Sequence, residues 1–293
     1  MTLETILQQI INGLVLGCNY TLIALGMTMI FGILNVLNFA HGEFYMIGAY
    51  IGFTIMNCLG LGFWYTFFLV IIFMVVFAYV VDLIFFRPFY ELGHNNQMVS
   101  TIALSILLQN LALLIWTPNP RHFALDYTTK TISLGPITIT VQRLLVIVVA
   151  ALMVLILFYI IDKTSLGRAI RATSQDRMAA ELTGVNVKNI GIYVITIGSV
   201  LAGIAGIMVA PLFLVYPSMG IEAVGKAFVV VILGGMGNIP GAILGGLLVG
   251  MIESFTIQYL GAFLKEIIVF LIMICILIIR PEGLYSSTVK TKV

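Results

Sequence analysis

Six uninterrupted apolar runs dominate this chain, at residues 6–31, 63–86, 98–116, 144–161, 190–215 and 263–279. A run of about 20 apolar residues is the length at which a helix crosses the hydrocarbon core of a bilayer. Inside lipid no water pairs with the backbone, so such segments are committed to helix. The composition agrees: of 293 residues, 61% are hydrophobic and 9% charged, with a mean hydropathy of +1.15, far from the averages of soluble domains. The expected fold is an all-α polytopic membrane protein, one domain over residues 1–293, with short connectors and no separate soluble domain.

Two further apolar segments are interrupted. Residues 35–56 begin NVLNFAHGE, and residues 223–259 are split by GGMGNIPG. Glycine and proline weaken helices, and irregular backbone at membrane depth is tolerated only when buried in protein or beside a water-filled path. Both segments are therefore candidates for broken or re-entrant helices. Nine spans result if every segment crosses and eight if one is re-entrant.

Residues 162–189, DKTSLGRAIRATSQDRMAAELTGVNVKN, are the longest polar interruption. Lys163, Arg168, Arg171, Arg177 and Lys188 stand there against Asp162, Asp176 and Glu181. Basic residues in short loops mark the cytoplasmic side, so this loop, the Arg87 connector and the C-terminus with Arg280, Lys290 and Lys292 are expected there. Residues 117–142 are then external, and the alternation of TKTISLGPITITV around Gly135 and Pro136 suggests a small β-hairpin. The N-terminus is external if every early segment crosses. The first run carries Glu4 and no basic residue, which argues for a retained span rather than a cleaved signal.

The chain has no GxxxxGK[ST] loop for nucleotide phosphates, no HExxH and no GxSxG. Cys18, Cys58 and Cys275 lack paired spacing and read as packing residues. His41 has no second His or Cys at ligand spacing, so no metal and no cofactor is expected. The chain is expected not to be an enzyme and supplies no engine of its own; if it drives uphill transport, the energy comes from an ion gradient or from another subunit.

An ion-coupled carrier needs ionisable groups inside its bundle. Glu43, Asp82, Lys226, Glu253, Lys265 and Glu266 are the candidates, and of these Glu43 and Glu253 lie deepest in their segments. A pore driven by another subunit needs a handle outside the membrane instead. Thr173 and Asp176 match a capping box, Arg177 and Glu181 are spaced i,i+4 on a helix expected over 175–183, and Gly184 is a natural stop. Met178, Ala179 and Leu182 fall on one side. A helix this short is marginal in water, so it docks in a partner's groove or lies at the membrane interface.

Four motifs decide between these options: residues 12–50, NGLVLGCNYTLIALGMTMIFGILNVLNFAHGEFYMIGAY; 167–186, GRAIRATSQDRMAAELTGVN; 228–246, FVVVILGGMGNIPGAILGG; and RPEGL at 280–284. Together they resemble the LivH-type permeases of bacterial branched-chain amino-acid ABC transporters over nearly the whole chain. The resemblance implies a multi-pass protein of the bacterial plasma membrane that imports branched-chain or other hydrophobic amino acids. It implies two ATP-binding subunits, a homologous LivM-like second permease and an external substrate-binding protein as partners. The alternative is an ion-coupled secondary carrier acting alone.

On the same resemblance, the polar loop corresponds to a coupling region held by an ATP-binding subunit. Residues 173–184, with Thr173, Asp176, Arg177, Ala179, Ala180, Glu181 and Gly184, form the docking helix, flanked by Arg168 and Arg171. Family position and local chemistry place the substrate path near Asn35, Asn38, His41, Glu43, Gln109, Asn110, Asn238 and Glu253. Amides and helix ends there suit a zwitterion, and equally serve as interhelical hydrogen bonds that need no ligand.

Overall fold

The computed structural model describes residues 3–90, 92–123, 130–134 and 137–285. In chain order the elements are α1 (Leu3–Leu34), α2 (His41–Leu59), α3 (Phe63–Val81), α4 (His94–Trp116), β1 (Thr131–Leu134), β2 (Ile137–Thr140), α5 (Val141–Lys163), α6 (Ser165–Gln175), α7 (Arg177–Leu182), α8 (Val187–Val209), α9 (Met219–Gly234), α10 (Ile239–Tyr259) and α11 (Lys265–Ile279). A π-helical turn, Asp82–Phe86, and a short 3-10 turn, Arg87–Phe89, prolong α3. Among the described residues, seven helices are long and apolar enough to cross a membrane; α2 and α9 are not among them. The expected count of eight to nine is thus approximate, reached only by adding α2 and α9, which begin inside the bundle.

α1 and α8 form the centre of the bundle, with 72% of the most apolar stretch of each buried, while α11 lies at the edge with 6%. The α1–α10 seam is set by small residues: a Cβ on Gly250 would overlap the backbone of Gly17 and Gly13, and one on Gly246 would overlap Thr21. Without a hydrophobic drive between helices in lipid, such close backbone approach supplies the packing energy.

The two helices left out of the seven start partway through the bundle. α1 ends at Leu34, where Asn35 takes a left-handed conformation with φ 53° and donates its N–H to the Phe31 carbonyl at 2.9 Å. Residues 35–40 then run back toward the middle of α1. His41 Nε2 lies 3.0 Å from the Ile23 carbonyl, and the His41 ring abuts Gly26, itself packed on Gly198 at the middle of α8. Thr101 of α4 supports this irregular stretch, accepting from the Phe39 N–H at 3.3 Å and facing the Leu37 carbonyl at 3.4 Å.

The second break differs from the one expected. The apolar run 190–215 is not one helix: α8 stops at Val209, and residues 210–218, with Pro211 and Pro217, descend to α9. Paired backbone bonds between Arg121 and Val215, at 2.8 and 2.9 Å, satisfy part of this stretch. Gly235–Asn238, by contrast, is a tight turn at the α1 C-terminal end of the bundle, with Gly237 against Gly32. There Asn238 caps α10 and Pro240 occupies its first turn, the position where a missing N–H costs nothing.

The N-termini of α2 and α9 therefore meet inside the bundle, where a Cβ on Gly42 would overlap the Gly220 carbonyl. From that point α2 runs toward the hairpin end and α9 toward the end that carries α6 and α7. β1 and β2 pair antiparallel, Ile132 opposite Ile139. The Gln8 side chain docks this ribbon on α1 through both backbone groups of Thr138, at 3.1 and 3.2 Å. Gly135 and Pro136 lie outside the described residues.

Candidate functional site

Among the described residues polar side chains gather at the helix junction, in a cavity at the hairpin end, around Asp82 and in the α6–α7 element. At the junction Glu43, in the first turn of α2, is fully buried. Its Oε1 accepts from Gln109 Nε2 at 2.7 Å and Ser105 Oγ at 3.1 Å, both on α4. Its Oε2 has no partner and faces Gly220 at the start of α9. Asn38 is also buried and accepts from the Ala40 N–H at 3.0 Å, which shapes the turn into α2. Of the expected path residues, Glu43 and Gln109 thus bond each other across α2 and α4, while Asn38 and His41 shape the turn that leads into α2.

The other expected path residues are elsewhere. Asn35 is an exposed helix stop. Asn110 is exposed on α4 and donates to the Ile106 carbonyl of its own helix at 2.7 Å. Asn238 accepts from the Gly241 N–H at 2.8 Å and donates to the Tyr285 carbonyl at 3.3 Å, tying the chain's C-terminal segment to the α9–α10 turn. The Asn110 and Asn238 side chains are occupied with backbone and Asn35 ends a helix, which explains all three without a solute.

Glu253 lies in the wall of a cavity of about 640 Å³ at the hairpin end, walled by α1, α9, α10, α11 and the 210–218 stretch. Its Oε2 accepts from the Tyr20 hydroxyl at 2.8 Å and lies 3.1 Å from Lys226 Nζ. Its Oε1 lies 3.6 Å from Lys265 Nζ. One carboxylate between two ammonium groups satisfies the requirement that a buried charge be paired. Nearer the hairpin end the pairing comes from amides: Gln9 donates to Gln258 at 3.0 Å, and Ser254 donates to Gln9 Oε1 at 2.8 Å.

Sequence reasoning ranked Glu253 as deep but not Lys226, which is 5% exposed, and it missed Tyr20 and Asn19. The signal was available: a lone lysine within an apolar helix is costly unless it has a partner or a path to water. Asp82 is likewise buried near the other end, where it accepts from Arg87 Nε and from the Tyr90 hydroxyl, each at 2.8 Å. Burial first, then the Asp82 carboxylate, pushes the Tyr90 phenol well above its ordinary value, so it stays a donor.

In the polar loop the caps are shifted from those expected. Thr164 caps α6, accepting from the Gly167 N–H at 3.1 Å. Thr173 is buried inside α6 and donates to the Ala169 carbonyl at 2.8 Å, so it caps nothing. Asp176 caps α7, accepting from the Ala179 N–H at 3.0 Å. Gly184, with φ 88°, ends α7, and the Val185 N–H returns to the Ala180 carbonyl at 3.0 Å; the left-handed residue is what lets this closing bond form. Arg177 and Glu181 pair at 3.5 Å. Arg171 turns back to the Ile161 carbonyl at the end of α5, with Asp162 3.6 Å away, and Ala180 is buried. The free surface is formed by Arg168, Asp176, Arg177, Ala179, Glu181 and Gly184, with Met178 and Leu182 projecting from it.

Helices that begin inside a bundle, beside a charged cavity, are how polar solutes are carried through the middle of a bilayer, and by class this is a multi-pass membrane transport protein. The chain belongs to the branched-chain amino acid transport system / permease component family, whose model matches residues 9–277. It is 36% identical to the high-affinity branched-chain amino acid transport system permease protein BraD of Pseudomonas aeruginosa, covering 98% of each chain. It is 33% identical to LivH of Escherichia coli strain K12, over 98% of this chain and 97% of LivH. A more distant similarity, 25% identity over 92% of this chain and 68% of the relative, reaches LivM of the same organism. No solved structure matches the chain.

Proposed function

We propose that this chain is one of two permease subunits of an ATP-driven importer that carries branched-chain or similarly aliphatic amino acids inward across the bacterial plasma membrane. Separate ATP-binding subunits supply the energy, an external binding protein delivers the solute, and the second permease is LivM-like. The similarity to BraD and LivH supports the solute class, and the similarity to LivM supports a paired permease.

The observation that carries the coupling part is α7. Its six residues are too few to hold a helix in water alone, yet it is capped at both ends and presents Met178 at 74% and Leu182 at 85% exposure. On this reading α6, α7 and the C-terminus are cytoplasmic, and the hairpin and cavity are external. Arg168, Asp176, Arg177, Ala179, Glu181 and Gly184 meet the ATP-binding subunit, while Arg171, Thr173 and Ala180 hold the element from behind. Closure of the ATP-binding subunits pushes α7, and α6, packed directly against α5, passes the displacement into the bundle.

The test is the complete transporter in proteoliposomes. The double variant Met178→Asp, Leu182→Asp is expected to lose the ATP-binding subunits on purification and to lose ATP-dependent leucine uptake, with the permease's own melting temperature unchanged. Retained assembly and uptake would remove α7 as the coupling element. Leucine accumulation by this chain alone on a proton or sodium gradient would replace the importer with a secondary carrier.

A further inference from the structure

The cavity at the hairpin end contains two buried groups that the fold leaves without a hydrogen bond, one a donor and one an acceptor. Lys226 is 5% exposed; its Nζ is ion-paired with Glu253 Oε2 at 3.1 Å but makes no hydrogen bond. Asn19, also 5% exposed, has an Oδ1 with no partner. Both residues line the same cavity. A buried polar group short of hydrogen bonds is costly, so a donor and an acceptor of this kind in the wall of one cavity offer complementary contacts to a solute.

Glu253 does not depend on Lys226, because Tyr20 and Lys265 also serve it. The remaining charged groups in the wall are engaged or peripheral: Arg143 donates to Asn12 at 2.6 Å, Glu222 accepts from Tyr216 at 2.7 Å, and Glu266 and His122 complete the set. Lys226, Lys265 and Arg143 balance Glu222, Glu253 and Glu266, so the cavity favours a solute that is neutral overall but carries both charges. Val15, Leu16, Val209 and Ile257 supply an aliphatic wall.

We propose that this cavity is a binding site for the zwitterionic end of an α-amino acid, its carboxylate on Lys226 and its ammonium on the Asn19 carbonyl oxygen, with the aliphatic side chain against the apolar wall. The proposal rests on the importer reading and adds that the permease itself inspects the solute at its main-chain end. A cavity of this size holds such a solute together with bridging water. A molecule lacking either charged end leaves one of these groups without its hydrogen bond and is rejected for that reason.

The experiment uses the assembled transporter in nanodiscs without binding protein, with radiolabelled leucine as the probe. Saturable binding is expected, displaced by unlabelled leucine and at least about tenfold less well by leucinamide or isoamylamine. Lys226→Met and Asn19→Leu are each expected to weaken binding by a similar factor, and Lys226→Arg to retain part of it. Absence of saturable binding to the unaltered transporter, equal displacement by leucinamide, or unchanged binding in Lys226→Met would overturn the proposal. The same preparation is assayed for ATP-dependent uptake with binding protein supplied. Uptake without this binding pattern rejects the cavity site alone, and no uptake by the unaltered transporter rejects the importer reading.

Discussion

Glu43 and Glu253 are both buried carboxylates in helices, yet their surroundings differ in kind. Glu43 is held by neutral donors, Gln109 and Ser105, where two helix N-termini press together with no room for a Cβ. Glu253 is held by two ammonium groups and a phenol in the wall of a cavity. Hydrogen bonds from neutral donors within close packing fix geometry, although Glu43 Oε2 is left without a partner. Charges in the wall of a cavity can exchange partners with a solute. On the proposed reading the junction fixes the geometry of the bundle, and the cavity is where solute meets this chain.

The comparison breaks first at the junction. Gly42→Leu would drive a side chain into the Gly220 backbone, and it is expected to cost more than about 4 kcal/mol and leave no folded permease to recover. Normal yield and melting temperature for this variant would mean that α2 and α9 do not meet there. Next in size is truncation of the two carboxylates. Glu253→Ala leaves Lys226 buried beside Lys265, a loss of about 3 kcal/mol once the partial exposure of Lys265 is allowed for. Glu43→Ala strands only neutral groups and is expected to cost about 1–3 kcal/mol. Thermal unfolding in detergent ranks the two, and a larger loss at Glu43 would reverse the contrast. Smallest is Asp176→Ala, about 1 kcal/mol confined to α7, seen as faster hydrogen exchange of the α7 amides with the global melting temperature unchanged.

Much of this architecture is legible in the amino-acid sequence, and the failures have physical causes. The first break is visible because Asn35, Asn38 and His41 interrupt an apolar run with polar groups. The second is hidden because residues 210–217, APLFLVYP, are nearly as apolar as a helix. Hydropathy records the cost of side chains in lipid and not where backbone pairing stops; Pro211 and Pro217 were the only local warning. The glycines of 234–241 drew attention to a turn at the end of the bundle instead.

In the polar loop, Thr173 and Asp176 are equally good caps by local chemistry. The choice fell to tertiary packing, which buries Thr173 in α6. The pairing of Lys226 with Glu253 and Tyr20 joins three different helices, so no spacing rule within one helix reveals it. Nor does sequence predict which amides are spent on backbone, as Asn110 and Asn238 are.

The central claim is that solute meets this chain at the cavity and not at the junction. It is tested most directly by ATP-dependent leucine uptake in proteoliposomes containing the complete transporter with either Glu43→Gln or Glu253→Gln, at matched amounts of assembled complex. Glu253→Gln removes a charged partner from Lys226 and is expected to lower uptake by about tenfold or more, while Glu43→Gln stays within about twofold. Normal uptake with Glu253→Gln and lost uptake with Glu43→Gln would contradict the account and move the solute path to the meeting point of α2 and α9.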